Sequence, residues 1–569
     1  MRSPRMLPAA LVLLMLGAVA PARNRPVHGA VLSNDQWPRA ANLREWTSDV
    51  LRISGTQRAS ETAQGKAFFE WLRLFVRMAV GGMIQASEGG YGRERTVLDA
   101  HKQLFVYGWG YCDTASRIAE AAWQEYKRDR TAAVRVITQH AGGEYHTMYR
   151  LRMDGRYGGF DPRYGYYLVA EDAPEARVLD WSEIHGKFHV NESYRCRSKP
   201  FFEIGRGEWA RALLIQPGYF ETEADWRAAG APVETVFGDG AHKMGAEFHA
   251  MGFTLKRGMT ITRYWDNSAR KFYVPASPRA TRELPFLPSG RFYRVTDASH
   301  GGNWPRNDPN YQRAKPYLVV VPSGEGYPAE LVGGRTIGQA YGIIDYRPPL
   351  ARAEDLDAIE DGAALASSLS APYLRPRRAS DGGDAVLDLR SPFVLVDGTV
   401  TARLAGDAEI SIRTLAPKAI HAREPDQWSE WQLLFKGPGR HEAALGRPRF
   451  NGRDVSIHGI YRFQLRVRVP PHVARKRPAG LSALRVRLYF ENGIMSIPPL
   501  FPGRNTIRFR LQDAAALTGP VWISYRYAAP DGTRTHRQEL RPASFTGNEA
   551  AYAVVTPGLT RCHSVSISY

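Results

Sequence analysis

The sequence predicts an α+β domain near the N-terminus followed by all-β domains. Apolar side chains recur at helical spacing over residues 67–77, and a helix-forming stretch at 117–123 is followed by strand-like segments at 133–138 and 144–153. From about residue 235 onward, short β-rich segments alternate with Gly, Pro, Asn and Asp. The length of 569 residues allows three or four domains.

Changes in composition along the chain predict where these domains begin and end. A Pro-Pro pair, an acidic and alanine-rich stretch and an Asp-Gly-Gly turn mark a linker. Beyond it, strand-like segments recur at the short, regular spacing typical of β-sandwiches. The predicted organisation is a signal peptide at 1–22, a catalytic domain at 31–235, a β-rich domain at 236–347, a linker at 348–385 and one or more β-sandwich domains at 386–569.

A cysteine stands where a glycine-rich turn meets a predicted helix. Cys112 follows Gly108-Trp109-Gly110-Tyr111 and precedes the strong helix formers at 117–123. Unpaired N–H groups and the positive end of the helix dipole favour thiolate over thiol at such a position. We therefore expect Cys112 to be a usable nucleophile near neutral pH. The helices predicted at 47–51 and 67–77 are expected to cover this core by packing.

A histidine and an aspartate follow the cysteine on predicted strands. His146 lies in the segment 144–153, Asp154-Gly155 is a turn signal, and Asp161 lies on the returning segment. If the two segments pair as antiparallel neighbours and the helix packs on them, the three side chains can meet as nucleophile, base and orienter. The alternative is that Cys112 is a small buried hydrophobe, His146 a hydrogen-bonded strand residue and Asp161 a turn residue.

The same residues resemble the transglutaminase-like superfamily over roughly residues 60–180. The matching motifs are Gly110-Tyr111-Cys112, the segment from His146 to Arg150, and Gly159-Phe160-Asp161-Pro162. The resemblance implies a papain/transglutaminase-like α+β fold with Cys112 as nucleophile, His146 as base and Asp161 as orienter. Asp113 stands where the tissue enzymes of this superfamily have a tryptophan. Because the superfamily also contains proteases, peptide:N-glycanases and inactive members, this departure weakens amine transfer more than it weakens thiol chemistry.

Supporting roles are assigned to four further residues. The backbone N–H of Cys112 is the default oxyanion donor at a helix start, with Gln103 and Trp109 as side-chain candidates. For Gln103 the alternative is an ordinary polar residue of the preceding segment. Trp428 and Trp431 stand three residues apart among polar residues, which suggests carbohydrate binding. The alternative for both tryptophans is a place in the core of a sandwich.

The N-terminus predicts export from the cytosol. Arg2 and Arg5 precede an apolar run that ends in Ala20-Pro21-Ala22, the pattern of a secretory signal. The run is too short to favour a membrane span, and no later stretch of about twenty apolar residues occurs. We expect a secreted, periplasmic or cell-envelope protein without a membrane span after signal removal, with a retained N-terminal anchor as the lesser alternative.

Metal and cofactor chemistry find little support in the sequence. The three cysteines Cys112, Cys196 and Cys562 exclude a disulfide framework, and no Cys-x-x-Cys or His-Glu-x-x-His motif occurs. His242 and His249 lack partners at ligand spacing, which favours surface or strand residues. We expect no metal and no cofactor.

The net charge of +19 falls to +17 when the two arginines of the signal are removed. Arginines alternate with apolar residues in segments such as 461–468, which indicates solvated faces of half-buried strands. The alternative is attraction to an anionic envelope surface, such as acidic glycans, wall or lipid headgroups. No nucleic-acid reader motif accompanies the charge. Asn191 begins a glycosylation sequon.

These features predict an exported thiol-dependent enzyme that acts on amide bonds. The expected partners are extracellular protein, glycopeptide or polysaccharide, and no nucleic acid. Water is the expected acceptor because no amine site is recognisable, so hydrolysis is favoured over amine transfer. Two alternatives stay open: a noncatalytic surface protein that binds glycans or the envelope, and a glycan-cleaving enzyme on the same scaffold.

Overall fold

A computed structural model describes the chain in segments separated by gaps. It is mostly β, with few helices in the N-terminal part followed by a large antiparallel region, which confirms the coarse prediction of α+β followed by β. The signal peptide, Asn191 and His242 lie outside the described residues. The described residues are 26–78, 99–110, 112–139, 145–162, 166–170, 175–180, 195–196, 234–237, 249–265, 293–294, 319–320, 339–351, 365–367, 370–376, 378, 380–416, 427–446, 455–471, 478–493 and 496–569.

The helices of the described part cluster near the N-terminus. They are α1 (Leu43–Ile53), α2 (Glu61–Phe75), a π-helix (Lys102–Tyr107) and α3 (Cys112–Lys127), with short 3₁₀ turns at Ala514–Ala516 and Pro542–Ser544. Asn42 and Ser60 cap α1 and α2 by accepting backbone N–H groups of the first turn. Among the described residues, no helix combines the length and hydropathy that a membrane span needs.

Aromatic side chains join the three α-helices. The ring of Phe68 on α2 lies 5.7 Å from Trp46 of α1 and 5.3 Å from Trp123 of α3. All three rings are fully buried. Burial of large aromatic surfaces is a major stabilising contribution, so α1 and α2 fix the position of α3.

The N-terminal part contains one six-stranded antiparallel sheet. Its order is β8-β7-β6-β5-β4-β9, and α3 packs against β4 and β5. The predicted strands at 133–138 and 144–153 correspond to β4 and β5, and Asp154 and Gly155 form the predicted turn with positive φ of 49° and 80°. The first nine strands are β1 (Val27–Asn34), β2 (Arg77–Met78), β3 (Trp109–Gly110), β4 (Ala133–Gln139), β5 (Tyr145–Met153), β6 (Arg156–Asp161), β7 (Tyr166–Val169), β8 (Arg195–Cys196) and β9 (Glu234–Phe237).

The remaining strands build the large antiparallel region. The main path of its 13-stranded sheet is β19-β18-β21-β17-β22-β14-β11-β27-β24-β25, with β15, β16 and β20 attached. The strands are β10 (Phe253–Leu255), β11 (Met259–Tyr264), β12 (Tyr293–Arg294), β13 (Val319–Val320), β14 (Gln339–Tyr346), β15 (Leu365–Ser367), β16 (Leu374–Pro376), β17 (Gly383–Ala405), β18 (Glu409–Thr414), β19 (Gln432–Lys436), β20 (Gly439–Ala444), β21 (Ile460–Val469), β22 (Gly480–Gly493), β23 (Gly503–Arg510), β24 (Val521–Ala529), β25 (Gly532–Leu540), β26 (Glu549–Thr556) and β27 (Arg561–Ser568).

The long strand β17 changes its partners along its length. Its first part, from Gly383 to Arg390, pairs with β21, and its second part, from Val394 to Ala405, pairs with β22. The register shifts between Arg390 and Leu395. An irregularity of this kind bends a strand and re-aims it toward new neighbours.

Several ladders cross the predicted domain boundaries. β1 lies between β10 and β23, and Asn34 donates to the side-chain oxygen of Asn505 at 2.9 Å. In the predicted β-rich segment, β11 pairs with β27 and β14 pairs with β22. Both ends of the chain and its middle therefore share sheets, while the boundaries at 235 and 385 stay predictions.

Candidate active site

Cys112 is the first residue of α3, where the sequence predicts a helix start. The preceding π-helix ends at Tyr107 and is capped by Gly108, which adopts φ 65°, and Trp109–Gly110 pairs in parallel with Arg77–Met78. The side chain of Cys112 is half-buried. The first-turn N–H groups and the helix dipole favour a negative charge at this end of α3.

Contacts between α3 and β4 fix the direction of the helix. The side-chain amide of Gln124, near the helix end, donates to the carbonyl of Ala133 at 2.6 Å. Arg135, two residues further along β4, contacts both Glu120 and Asp113. The helix therefore runs antiparallel to β4, and its first residue lies toward the end of β4, where β5 begins.

His146 belongs to this same end of the sheet. Its backbone pairs with Thr138 near the end of β4. The next residue, Thr147, accepts a hydrogen bond from Oγ of Ser116, one turn after Cys112 on α3, at 3.2 Å. The start of α3 and the start of β5 are therefore neighbours.

Asp161 ends β6, the strand beside β5. Tyr149 is paired with Phe160, so extending the register by one residue sets Asp161 opposite Met148, two positions from His146. Asp161 is fully buried at 0% exposure. The three predicted triad residues thus occupy one corner of the helix and sheet, and contact among their side chains stays a prediction.

A charge cluster lies beside Cys112. Asp113 forms ion pairs with Arg117 and Arg135, each at 2.6 Å, and Arg135 also contacts Glu120 at 2.8 Å. Burial opposes ionisation of Asp113, but Arg117 and Arg135 outweigh it and lower the pKa of this carboxyl. Burial raises the pKa of Glu120, against the influence of Arg135. The carboxylate next to the candidate nucleophile is therefore compensated by two guanidinium groups.

The two oxyanion candidates precede α3. Gln103 lies within the π-helix and is 2% exposed. Its backbone carbonyl accepts a hydrogen bond from the backbone N–H of Gly108 at 2.9 Å. Trp109 lies on β3, and its side chain is outside the described residues. The oxyanion role of either residue stays a prediction.

A buried contact between the π-helix and the large sheet was not predicted from the sequence. The hydroxyls of Tyr107 and Tyr461 are 2.7 Å apart, and the ammonium of Lys102 lies 4.5 Å from the Tyr461 ring. The His249 ring packs against the Tyr461 ring at 4.7 Å and a tilt of 58°, and a nitrogen of the His249 ring lies 2.8 Å from the carbonyl of Pro392. The sequence contains no signal for this contact, because it joins segments that are distant in the chain. The structure draws attention to it through the π-helix, since such turns are frequent at functional sites.

The sequence predicts that His249 is a surface or strand residue. In the structure it is half-buried, precedes β10 and contacts the π-helix and the large sheet. Burial and the nearby Lys102 lower its pKa to about 4. Within the described residues, no group of three His, Cys, Asp or Glu side chains is arranged to hold a metal ion.

Trp428 and Trp431 lie over an outer sheet surface. Arg413 stacks on both rings, at 4.7 Å from Trp428 and 4.6 Å from Trp431. Arg462 lies 5.2 Å from Trp428, and Arg466 lies 4.5 Å from Trp431. Each indole is half-buried and contacts two guanidinium groups, so sugar stacking on them stays a prediction.

Comparisons with known proteins give no family for this chain. No family model and no curated protein matches it. Among solved structures, a calcium-binding mutant of β-glucuronidase 2 from Bacteroides uniformis is similar at 14% identity over 34% of this chain and 23% of that chain, with a TM-score of 0.11. A β-D-mannosidase from Dictyoglomus thermophilum is 10% identical over 32% of this chain and 25% of that chain, with a TM-score of 0.11.

A provisionally assigned secreted protein from Parabacteroides distasonis is also similar. It is 11% identical over 39% of this chain and 90% of that chain, with a TM-score of 0.14. The chain spans about a quarter of the length of the two glycosidases. Similarity at these scores carries no conclusion about activity.

Proposed function

We propose that this chain is an exported thiol-dependent enzyme that acts on amide bonds through Cys112, His146 and Asp161. The observation that carries the proposal is the convergence of the three positions at the start of α3 and the adjoining corner of β5 and β6. Nucleophile, base and orienter require this kind of proximity. Hydrolysis is the favoured reaction, on protein, glycopeptide or cell-envelope material.

The proposed reaction proceeds through a thioester. Cys112 gives its thiol proton to His146, the sulfur attacks the amide carbonyl carbon, and backbone N–H groups at the start of α3 stabilise the oxyanion. The C–N bond then breaks as His146 passes that proton to the leaving amine. Water then attacks the thioester carbon and gives a proton to His146. The C–S bond breaks, the carboxylic acid leaves, and His146 returns its proton to the Cys112 sulfur. Asp161 holds the imidazole in the required tautomer.

The charge cluster supports thiolate formation in this scheme. An uncompensated carboxylate beside Cys112 would oppose a second negative charge on sulfur. Arg117 and Arg135 bind both oxygens of Asp113 and reduce this repulsion. The N–H groups and the dipole at the start of α3 then dominate the electrostatic field at the Cys112 sulfur and favour the thiolate.

We also propose that the N-terminal part is a papain/transglutaminase-like domain and that the C-terminal part is a β-sandwich. The helix α3 on an antiparallel sheet agrees with a papain/transglutaminase-like domain. The switch of β17 from β21 to β22 agrees with a sandwich whose corner is made by one bent strand. We also propose that the mature protein works in the periplasm, at the envelope or outside the cell.

The test is the rate of iodoacetamide labelling of Cys112 against pH, read by peptide mass spectrometry. The protein carries Cys196→Ala, and Cys562 is the internal control because it is fully buried and burial raises its pKa to about 12. We expect rapid labelling of Cys112 well below pH 8.5, and a shift of the curve to higher pH in His146→Ala. Labelling at ordinary alkaline pH in both proteins would contradict the proposal.

A second candidate is a noncatalytic glycan- or envelope-binding protein. It is favoured by the arginines that line the outer surface of β18 and β21. Removal of Cys112 separates the two functions: amide hydrolysis is lost in Cys112→Ala under the first proposal, while binding persists under the second. A folded Cys112→Ala protein that retains full hydrolysis would exclude the thiol mechanism.

A further inference from the structure

A row of alternating cations and indoles lies on the large sheet. Arg462, Trp428, Arg413, Trp431 and Arg466 follow one another, each within 4.5–5.2 Å of the next from guanidinium carbon to ring centre. We call these five residues the arginine–tryptophan ladder. Contacts of this length are cation–π interactions, which restrain both partners.

The backbone places the ladder on one face. Arg413 of β18 is opposite Gln464 of β21, and Arg462 and Arg466 flank Gln464 at the spacing of two that puts side chains on the same side of a strand. The indoles come from the loop before β19. Ser429 anchors this loop through two hydrogen bonds of 2.9 Å with the backbone of Thr414. The guanidinium groups are therefore held by a sheet and not by a mobile tail.

The charges of the ladder are only partly compensated. Arg462 forms an ion pair with the buried Asp388 at 2.7 Å. Arg413 instead donates to the neutral side chain of Gln464 at 2.8 Å. Within the part of the chain that the structure describes, neither Arg413 nor Arg466 forms an ion pair with a carboxylate. Two restrained cations thus lie on either side of Trp431 with N–H donors for an external anion.

We propose that the arginine–tryptophan ladder is a binding site for the carboxylate or sulfate groups of an acidic polysaccharide. Guanidinium groups bind planar oxyanions through paired hydrogen bonds, and a repeating polyanion can occupy both cations at once. Single-stranded nucleic acid is disfavoured, because bases need open aromatic faces and each indole here already contacts two arginines. The site rests on the second candidate function, glycan binding, and lies outside the proposed triad, so it does not depend on the thiol mechanism.

The test measures binding of the full chain to polygalacturonate and to heparin at fixed salt. The variant is Arg413→Gln/Arg466→Gln, and the matched control is Arg534→Gln/Arg541→Gln, which removes the same charge from exposed positions on and beside β25. We expect the ladder variant to bind at least roughly tenfold more weakly, and the control to change less than about twofold. Unchanged thermal unfolding of both variants confirms that they are folded.

Further measurements distinguish a specific site from general charge attraction. Arg413→Lys/Arg466→Lys keeps the charge but loses the paired donors, and we expect it to bind more weakly than the wild type. Equal loss in the ladder variant and the control would mean general charge attraction and would overturn the proposal. Tighter binding to phosphatidylserine vesicles, for which the exposed Leu433 offers an apolar contact, or to oligothymidylate would also overturn it. Unchanged binding by Cys112→Ala separates the site from the proposed enzyme activity.

Discussion

The hydroxyl oxygens of Tyr107 and Tyr461 lie 2.7 Å apart in a buried position, although 354 residues separate them in the chain. Tyr107 ends the π-helix five residues before Cys112, and Tyr461 lies on β21 of the large sheet. The segment that leads to the candidate nucleophile is therefore bonded to the β-region. Substitution of either tyrosine should therefore affect the packing of both the π-helix and β21.

Loss of this hydrogen bond should destabilise the protein. We expect Tyr461→Phe to lower the free energy of unfolding by about 1 kcal/mol, the usual net contribution of a buried hydrogen bond. Urea denaturation measures it. The control is Tyr157→Phe, which removes an exposed hydrogen bond to the carbonyl of Thr131 and should have a smaller effect. Equal effects would show that the buried position adds nothing.

The glycine before β3 permits a close approach of three segments. A Cβ on Gly108 would lie 3.1 Å from the carbonyl oxygen of Phe75 and 3.3 Å from Cα of Gly493, and φ is 65°. We expect Gly108→Ala to be destabilised by about 1–3 kcal/mol, because strain and crowding act together. Gly155→Ala is the matched control, since φ is 80° there and nothing lies within 4 Å of the added carbon.

The two glycine variants separate conformational strain from crowding. The melting temperature should fall further below that of the wild type in Gly108→Ala than in Gly155→Ala. The difference between the two decreases measures the crowding against Phe75 and Gly493. We also expect slower labelling of Cys112 in Gly108→Ala. Identical melting temperatures would mean that the neighbouring backbone moves away without cost.

The carboxylate beside Cys112 offers a charge test. In Asp113→Asn, Arg117 and Arg135 lose the negative charge that they compensate. A more positive surrounding favours thiolate, so we expect the pH curve of Cys112 labelling to move down by up to about one unit. Asp154→Asn at an exposed turn serves as control for the loss of one carboxylate. A shift to higher pH would contradict the proposed role of this cluster.

The half-buried His249 predicts a pH window for stability. Burial, followed by Lys102, lowers its pKa from 6.5 to about 4, so the folded protein holds the neutral ring. The unfolded chain takes up a proton at higher pH than the folded one, so stability is fully present above pH 6.5 and is lost as pH falls toward 4. We expect the melting temperature of the wild type to fall across this window.

His249→Gln should flatten that decrease. The flattening will be partial, because burial also lowers the pKa of His101 and gives the same sign. Above pH 7 the two proteins should respond to pH in parallel. Equal slopes between pH 6.5 and 4 would exclude His249 as a source of acid sensitivity.

Local features of the fold could be predicted from the sequence, and distant contacts could not. The helix start at Cys112, β4, β5 and the Asp154-Gly155 turn depend on neighbouring residues, so periodicity and turn chemistry were sufficient. The Tyr107–Tyr461 contact depends on packing between distant segments, for which one sequence contains no signal. The sequence marks Trp428 and Trp431 by their spacing among polar residues, but their arginine partners lie on strands whose pairing the sequence does not reveal.

The pairing of β1 restricts the order in which the chain can fold. Asn34 at the end of β1 binds Asn505, 471 residues later, and the other edge of β1 binds β10. A ribosome therefore releases the first strand long before its second neighbour exists. Until then β1 presents an open edge that can pair with other chains. Shortened versions that stop near residue 235 would keep this edge open permanently and should aggregate more readily than the whole chain.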